Sequence, residues 1–352
     1  MLLVCNVERA VFFFQALREE TGLRRRDVLK LAALGAAGSV LPKTVCAAAK
    51  QIPVPAKQIP VIDTHIHLFD TARPGGVPWP AKDDPALFKP ALPPRYVRLS
   101  AKHGVVGAIA IEASPLASDN DWLLKVVAEN PVMVGMIGDL IPGSASYMAD
   151  LDRLHKNPLF LGIRYGNIWD RDLSADLDKP GFADGLKALA RAGLTFDSAN
   201  PDEKLLGAIL RISGMVPDLR IVVDHLPHAV VPAEAAERKQ HFDRLRALAK
   251  NPHVFVKLSE IPEIVNGALV TAPAAYTEHL NGIWEIFGED HILFGSDWPN
   301  SDHVAPYDAT FSIVRQYISG KGTEAAEKYF WKNSIAAYRW RPRRANQHLA
   351  GI

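Results

Sequence analysis

The chain repeats one pattern eight times, and this repetition limits the folds available to it. Each unit is a short run rich in Val, Ile, Leu or Phe, followed by a polar residue and then by a stretch with helical periodicity. The units are about 30 to 40 residues apart, the length of one strand and one helix. The runs begin near Val61, Val105, Val132, Leu159, Leu194, Ile221, Val254 and Ile292.

The runs have the composition of strands in a parallel sheet. Residues 221–223 and 254–256 are continuously apolar, which is typical of strands covered on both faces. Between the runs, apolar residues such as Tyr276, Leu280 and Ile283 recur on one helical face. Eight alternating units predict an α/β fold, a single-domain (β/α)8 barrel of the TIM type.

The main competing fold is a doubly wound open sheet. No Gly-x-Gly-x-x-Gly follows the first run, so the main reason to prefer that fold is missing. The last helical stretch, Glu324 to Tyr338, is expected to lie across the barrel after the eighth unit. With 352 residues, 48% of them hydrophobic, the chain can bury a large core. A net charge of +1 gives no electrostatic reason to expect nucleic acid as a partner.

The first 49 residues differ from the rest and are typical of an export signal. Three arginines at 24–26 precede an apolar run from Leu31 to Leu41, and three alanines follow at 47–49. The arginines predict a twin-arginine signal and hence the twin-arginine export machinery as a partner. The apolar run is too short for a permanent membrane span. An uncleaved N-terminal helix and a lipidated Cys46 are the alternatives.

This interpretation sets the predicted domain boundaries. Residues 1–49 form the signal segment, 50–60 a Pro-rich leader, and 61–345 the barrel domain. Both cysteines, Cys5 and Cys46, fall inside the signal segment, so the mature protein needs no disulfide framework. We therefore expect a periplasmic or secreted protein.

Polar residues at the ends of the apolar runs are the candidate site residues, because the carboxyl ends of barrel strands carry the active site. His65 and His67 are two residues apart on the first strand, so their side chains point to one side. The other polar residues collected in this way are Glu112, Asp139, Arg164, Asp197, Asp224, His225, Lys257 and Asp297.

Three histidines and an aspartate favour one divalent metal ion, with zinc the best match to nitrogen and oxygen ligands. The predicted ligands are His65, His67, His225 and Asp297, and Asp297 is also the predicted general base toward a water. Glu112 is either a further ligand or a carboxylate at the rim. A histidine such as His225, taken alone, can instead serve only to bond the backbone.

The remaining polar residues are assigned by alternation and by charge. Arg164 and Lys257 either bind an anionic group of a substrate or pair with Glu112 and Asp197. Alternation along the strands directs Asp63 and Asp224 toward the helices, as structural residues. Further substrate contacts are predicted for Asp197, which otherwise supports a neighbour, for Trp79, which otherwise plugs its loop, and for Trp298.

Five segments in order resemble the amidohydrolase superfamily, in the amidohydrolase-related branch that includes sugar-acid lactonases and 2-pyrone-4,6-dicarboxylate lactonase. They are Asp63 to His67, Gly162 to Arg164, Val223 to His225, Val256 to Ser259 and Phe294 to Pro299. The resemblance implies a distorted TIM barrel with the three histidines at the reaction centre and Asp297 as base. The fifth run, Leu194 to Asn200, offers no histidine, which departs from the two-metal members.

The resemblance implies a hydrolase that opens a lactone of a sugar acid or a related carboxylated compound. Asp297 would take the proton of a water held near the three histidines. The branch includes single-metal and metal-free members, so both states stay open. A single-metal decarboxylase and a non-catalytic periplasmic binding barrel are the alternative functions.

Overall fold

The computed structural model of the chain describes residues 59–349. The predicted signal segment 1–49 lies outside the described residues, as do all but the last two residues of the leader 50–60. Within residues 59–349, no helix combines the length and the apolar character needed to cross a membrane.

Eight parallel strands form a nearly closed barrel, as the sequence predicts. They are β1 (Val61–His67), β2 (Val105–Ile111), β3 (Met133–Gly138), β4 (Phe160–Gly166), β5 (Thr195–Ala199), β6 (Arg220–Val223), β7 (Val254–Leu258) and β10 (Ile292–Phe294). The short strands β8 (Ile264–Val265) and β9 (Ala268–Leu269) form a separate hairpin. Neighbours pair in chain order, and β10 pairs with β7. A bridge from Ile66 to Trp298 joins the last unit to the first.

Helices on the outside connect the strands. They are α1 (Pro93–Ser100), α2 (Ser118–Glu129), α3 (Tyr147–Leu154), α4 (Leu173–Asp176), α5 (Phe182–Arg191), α6 (Glu203–Met215), α7 (Ala235–Leu248), α8 (Ala274–Phe287), α9 (Tyr307–Ser319), α10 (Thr323–Glu327) and α11 (Asn333–Tyr338). The apolar face predicted for α8 is buried. At α6, the Asp202 side chain caps the first turn by accepting from the Leu205 N–H at 2.7 Å.

The C-terminal segment closes the amino-terminal end of the barrel, in agreement with the position predicted for Glu324 to Tyr338. The Ala337 carbonyl accepts from Thr195 Oγ1 and Arg220 Nε, each at 2.8 Å, at the starts of β5 and β6. Behind these contacts lies a core of strand residues and three C-terminal aromatic residues. It contains Ile62, Ile109, Val134, Leu161, Val222, Phe255, Leu293, Trp331, Tyr338 and Trp340.

The carboxyl-terminal end of the barrel carries most of the strained backbone. Soon after each of β4, β5, β6, β7 and β10, at least one non-glycine residue adopts a left-handed conformation. The first such residues are Trp169, Asn200, His225, Glu260 and Asp297, with φ between 50° and 58°. Such residues cost about 1 to 3 kcal/mol each and cluster at functional sites.

Candidate functional site

A single carboxylate oxygen lies at the centre of three imidazoles. Oδ1 of Asp297 is 3.4 Å from Nε2 of His65, 3.2 Å from Nε2 of His67 and 3.8 Å from Nε2 of His225. The two imidazoles of β1 are 3.3 Å apart between their Nε2 atoms. The structure thus brings together residues about 230 positions apart, and all four are buried.

The bridge between the last unit and β1 fixes this arrangement. The Asp297 N–H donates to the His65 carbonyl at 2.8 Å, and the His67 N–H donates to the Trp298 carbonyl at 2.7 Å. Asp297 has φ 58°, so the chain turns at that residue as it leaves β10. The strand pairing therefore places the carboxylate against the histidines.

Partners on the far side of each ring orient the imidazoles. Nδ1 of His67 lies 3.0 Å from the Glu112 carbonyl, which only accepts, so Nδ1 donates to it and Nε2 faces Asp297. Nδ1 of His225 lies 2.7 Å from the Ser259 hydroxyl. Burial lowers the pKa of His225 to about 4, so its ring is neutral near pH 7.

The ring of His65 has two different partners at Nδ1. Lys257 Nζ, a donor, lies 3.1 Å away, and Asp224 Oδ1, an acceptor, lies 3.5 Å away. Burial, reinforced by the Lys257 charge, holds the pKa of His65 well below its usual range. All the heteroatoms of this ring are therefore engaged inside the barrel.

Asn300 holds the second oxygen of the central carboxylate. Its Nδ2 donates to Asp297 Oδ2 at 2.7 Å and to Glu260 Oε1 at 2.8 Å. Burial alone would raise the pKa of Asp297, but hydrogen bonds, first that from His67, keep the pKa below its ordinary value. The carboxylate is therefore ionised at neutral pH and able to accept a proton or hold a cation.

The donor atoms fit a divalent metal ion. Ligands about 2.0 to 2.1 Å from a tetrahedral zinc ion are about 3.3 to 3.4 Å from one another. The distances among His65 Nε2, His67 Nε2 and Asp297 Oδ1 are 3.3, 3.4 and 3.2 Å. Two nitrogen ligands and one oxygen ligand also match the preferences of zinc. Glu112, the further predicted ligand, lies outside the clusters of metal-ligating atoms among residues 59–349.

A chain of buried ion pairs lies beneath the histidines. Lys257 Nζ is 2.8 Å from both Asp197 Oδ2 and Asp224 Oδ1. Arg164 Nε donates to Asp224 Oδ2 at 3.0 Å, and its Nη1 lies 3.5 Å from Glu112 Oε1. Of the two predicted roles for Arg164 and Lys257, the structure thus shows ion pairing. Asp197 supports Lys257 and accepts from the Tyr338 hydroxyl at 2.7 Å.

The orientation predicted for Asp224 is wrong, although that for Asp63 is correct. Asp63 accepts from the Tyr96 hydroxyl at 2.8 Å, on the helix side of β1. Asp224 instead faces the barrel interior, where it contacts Lys257 and Arg164. Asp224 continues the inward face of Val222, whereas His225 departs from regular alternation because it adopts a left-handed conformation with φ 50°.

The two tryptophans predicted to contact substrate lie in different surroundings. Trp298 is fully buried, its ring 5.4 Å from that of Tyr96, so its position differs from the predicted substrate contact. The chain turns at Asp297, which directs Trp298 away from the interior. Trp79 lies beside the centre, its ring 5.6 Å from His67 and 5.2 Å from Phe69. Its substrate contact stays a prediction.

Four residues around the centre, Glu260, His228, Asn300 and Trp169, are not predicted from the sequence. Glu260 lies 3.1 Å from His228 and 3.8 Å from His225, measured from its Oε2 to their Nδ1 atoms. Asn300 joins Glu260 to Asp297, and Trp169 Nε1 donates to Glu112 Oε2 at 3.0 Å. All four lie beyond strand ends, where no periodicity marks them.

Comparison with known proteins gives consistent matches. A family model described as amidohydrolase matches residues 62–340. The chain is similar to the L-fucono-1,5-lactonase of Burkholderia ambifaria, with 27% identity over 301 residues that cover 82% of this chain and 98% of the relative. The L-fucono-1,5-lactonase of Burkholderia multivorans is 24% identical over 298 residues, 78% of this chain and 94% of the relative.

The fold is also similar to a solved structure. An amidohydrolase from Burkholderia multivorans with bound zinc has a TM-score of 0.70 and 21% identity. The match covers 80% of this chain and 100% of that chain.

Proposed function

The protein belongs to the amidohydrolase family of enzymes, and from this premise we propose that it hydrolyses the cyclic ester of a sugar acid. The observation that carries the proposal is the single ionised oxygen, Asp297 Oδ1, within 3.8 Å of three imidazole nitrogens. Similarity to two L-fucono-1,5-lactonases along most of the chain supports a lactone as substrate.

We propose that His65, His67 and Asp297 hold one divalent ion, zinc by the chemistry of the ligands. When bound, such an ion supplies Lewis acidity, which polarises an ester carbonyl and eases deprotonation of water. With Nδ1 of His67 donating to the Glu112 carbonyl, Nε2 is the nitrogen that would ligate the ion.

The protein's own residues then handle the protons. Asp297 accepts a proton from the attacking water, because hydrogen bonds keep its carboxylate ionised at neutral pH. The water oxygen adds to the ester carbonyl, the bond to the ring oxygen breaks, and Asp297 returns the proton to that oxygen. With Ser259 donating to Nδ1 of His225, the Nε2–H of His225 can donate to the developing oxyanion.

The charges around the centre favour an uncharged lactone over a dicarboxylate. Lys257 and Arg164 are at most 4% exposed and already paired with carboxylates. Arg171, nearer the rim, donates to both oxygens of Asp139 at 2.5 and 3.0 Å. These pairs leave no unpaired lysine or arginine at the centre within residues 59–349 for a substrate carboxylate. The lack of such a side chain weighs against the alternative of a decarboxylase, whose substrate is an anion.

Replacement of Asp297 tests the mechanism. We expect Asp297→Asn to lower kcat/KM for a sugar lactone by about 10²- to 10⁴-fold, the usual contribution of a general base. Acid release from a panel of lactones measures the rate, and metal analysis of the same samples separates loss of the base from loss of a ligand. Asp184→Asn, at an exposed ion pair, is the matched control.

Three outcomes would contradict the proposal. Near-normal activity of Asp297→Asn removes Asp297 from the role of base. Release of carbon dioxide in place of ring opening makes the enzyme a decarboxylase. A wild-type protein that opens none of the lactones is not a sugar lactonase.

We also propose that the enzyme is exported by the twin-arginine machinery and acts in the periplasm or outside the cell. The arginines at 24–26, the apolar run Leu31 to Leu41 and the alanines at 47–49 support this proposal. Cell fractionation should find the protein outside the cytoplasm. The double variant Arg25→Lys, Arg26→Lys should retain it inside, and unchanged export of that variant would overturn the twin-arginine route.

A further inference from the structure

Trp169 differs from the other tryptophans in its surroundings. The chain has seven tryptophans, all within residues 59–349. Six of them belong to a hydrophobic core or pack against one, namely Trp79, Trp122, Trp284, Trp298, Trp331 and Trp340. Trp169 is half-buried, belongs to neither core of the described residues and stacks on no other described aromatic ring. The indole therefore packs against neither hydrophobic core of the described residues.

The loop after β4 nevertheless holds this indole in place. Trp169 Nε1 donates to Glu112 Oε2 at 3.0 Å. Trp169 and Asp170 both have φ 57°, in the left-handed region that bulky residues rarely adopt. Arg171 then anchors the loop through Asp139 and lies 5.0 Å above the ring of Tyr165. Strain in two consecutive residues persists only where the surroundings impose it.

The anchor connects the indole to the reaction centre. Glu112, which accepts the indole hydrogen bond, also accepts through its backbone carbonyl from Nδ1 of His67 at 3.0 Å. Its other oxygen lies 3.5 Å from Arg164. Trp169 is therefore one residue removed from an imidazole of the centre, on its solvent side.

We propose that Trp169 is a specificity-determining residue whose free indole face stacks on the C–H face of the sugar lactone ring; this inference rests on the proposed function. A sugar ring has apolar C–H groups on its faces and hydroxyl groups at its edge. An indole fixed through its N–H offers a flat apolar surface at little cost in entropy. Glu260 and His228 lie on a different sector of the mouth, after β7 and β6, where they can bond the hydroxyl groups.

Two substitutions at Trp169 separate stacking from anchoring. We expect Trp169→Ala to raise KM for the sugar lactone roughly tenfold, equivalent to about 1.4 kcal/mol, because the apolar contact is lost, with kcat within about threefold. Trp169→Phe keeps an aromatic face without the N–H and should restore most of the affinity. Trp284→Phe, on α8, is the matched control and should leave KM unchanged.

The alternative outcomes are distinct. An unchanged KM in Trp169→Ala overturns the proposal, and a Trp169→Phe variant as impaired as Trp169→Ala assigns Trp169 to anchoring alone. If the wild-type protein opens no lactone, the proposed function fails, and fluorescence titration with a free uncharged pyranose then decides the stacking. Quenching that disappears in Trp169→Phe supports stacking, and no quenching in the wild type overturns it.

Discussion

At the amino-terminal end of the barrel, aliphatic strand residues pack against Trp331, Tyr338 and Trp340, whereas the carboxyl-terminal end holds histidines and carboxylates. Strained residues follow the same division, because non-glycine residues with positive φ come after five of the eight strands at the carboxyl-terminal end. Strain and buried charge both cost free energy of unfolding. Burial of apolar residues at the amino-terminal end therefore has to offset the stability lost to strain and buried charge at the carboxyl-terminal end.

The layer between the two ends has features of both. Lys257, Asp197 and Asp224 are completely buried and charged, yet Asp197 also accepts from Tyr338, a member of the apolar end. Burial raises the pKa of Asp197 to about 6, whereas Asp224, despite its burial, has a pKa well below its usual range because of Lys257. The residues of this layer therefore connect the ring of His65 to the apolar core.

The largest effect is expected where the two ends meet. Lys257→Met leaves two buried carboxylates without their shared cation, so the free energy of unfolding should fall by about 4 kcal/mol. Denaturant unfolding measures the loss. Lys187→Met, whose pair with Asp184 is exposed, should change stability by no more than about 0.5 kcal/mol.

A double variant tests whether the unpaired carboxylates cause this loss of stability. Lys257→Met combined with Asp197→Asn removes one of the two unpaired charges and should recover part of the lost stability. A Lys257→Met protein as stable as the wild type would show that the ion pairs of this layer contribute no net free energy of unfolding. The contrast between the two ends of the barrel would then not extend to this layer.

The apolar end should affect stability without affecting catalysis. Trp340 is 2% exposed and donates from Nε1 to Ser334 Oγ at 2.9 Å, so Trp340→Ala should lower the free energy of unfolding by about 3 kcal/mol. Its kcat, measured below the unfolding transition, should stay within about twofold of the wild type. Trp169→Ala at the other end should instead raise KM and leave the free energy of unfolding nearly unchanged, and a large fall in kcat of Trp340→Ala would break the comparison.

The architecture and the central residues could be predicted because they are periodic. Eight apolar runs indicate the strands, and the step of two from His65 to His67 places both rings on one side. The convergence of His225 and Asp297 on these rings follows from the closed barrel. These inferences need only the regular geometry of strands.

Residues beyond the strand ends could not be predicted in this way. Asp224 and Trp298 each adjoin a residue with positive φ, so counting from that neighbour assigns their direction wrongly or not at all. Glu260 and Trp169 lie on loops and Asn300 begins a short 3-10 helix, and the paths of these segments depend on contacts distant in sequence. The pairing of Lys257 with Asp197 and Asp224 likewise depends on three separate strands.

The smallest effect concerns Asn300, which positions the base without contacting the histidines in the described residues. Asn300→Ala frees Asp297 Oδ2 and Glu260 Oε1, which the amide holds at 2.7 and 2.8 Å, so the carboxylate loses its fixed orientation. We expect kcat to fall about tenfold, near 1.4 kcal/mol, with KM and the unfolding free energy little changed. Asn300→Gln keeps the amide at a longer reach and should recover part of the rate. If the free energy of unfolding falls by as much as the fall in kcat corresponds to, Asn300 instead has a structural role, like the residues of the apolar end.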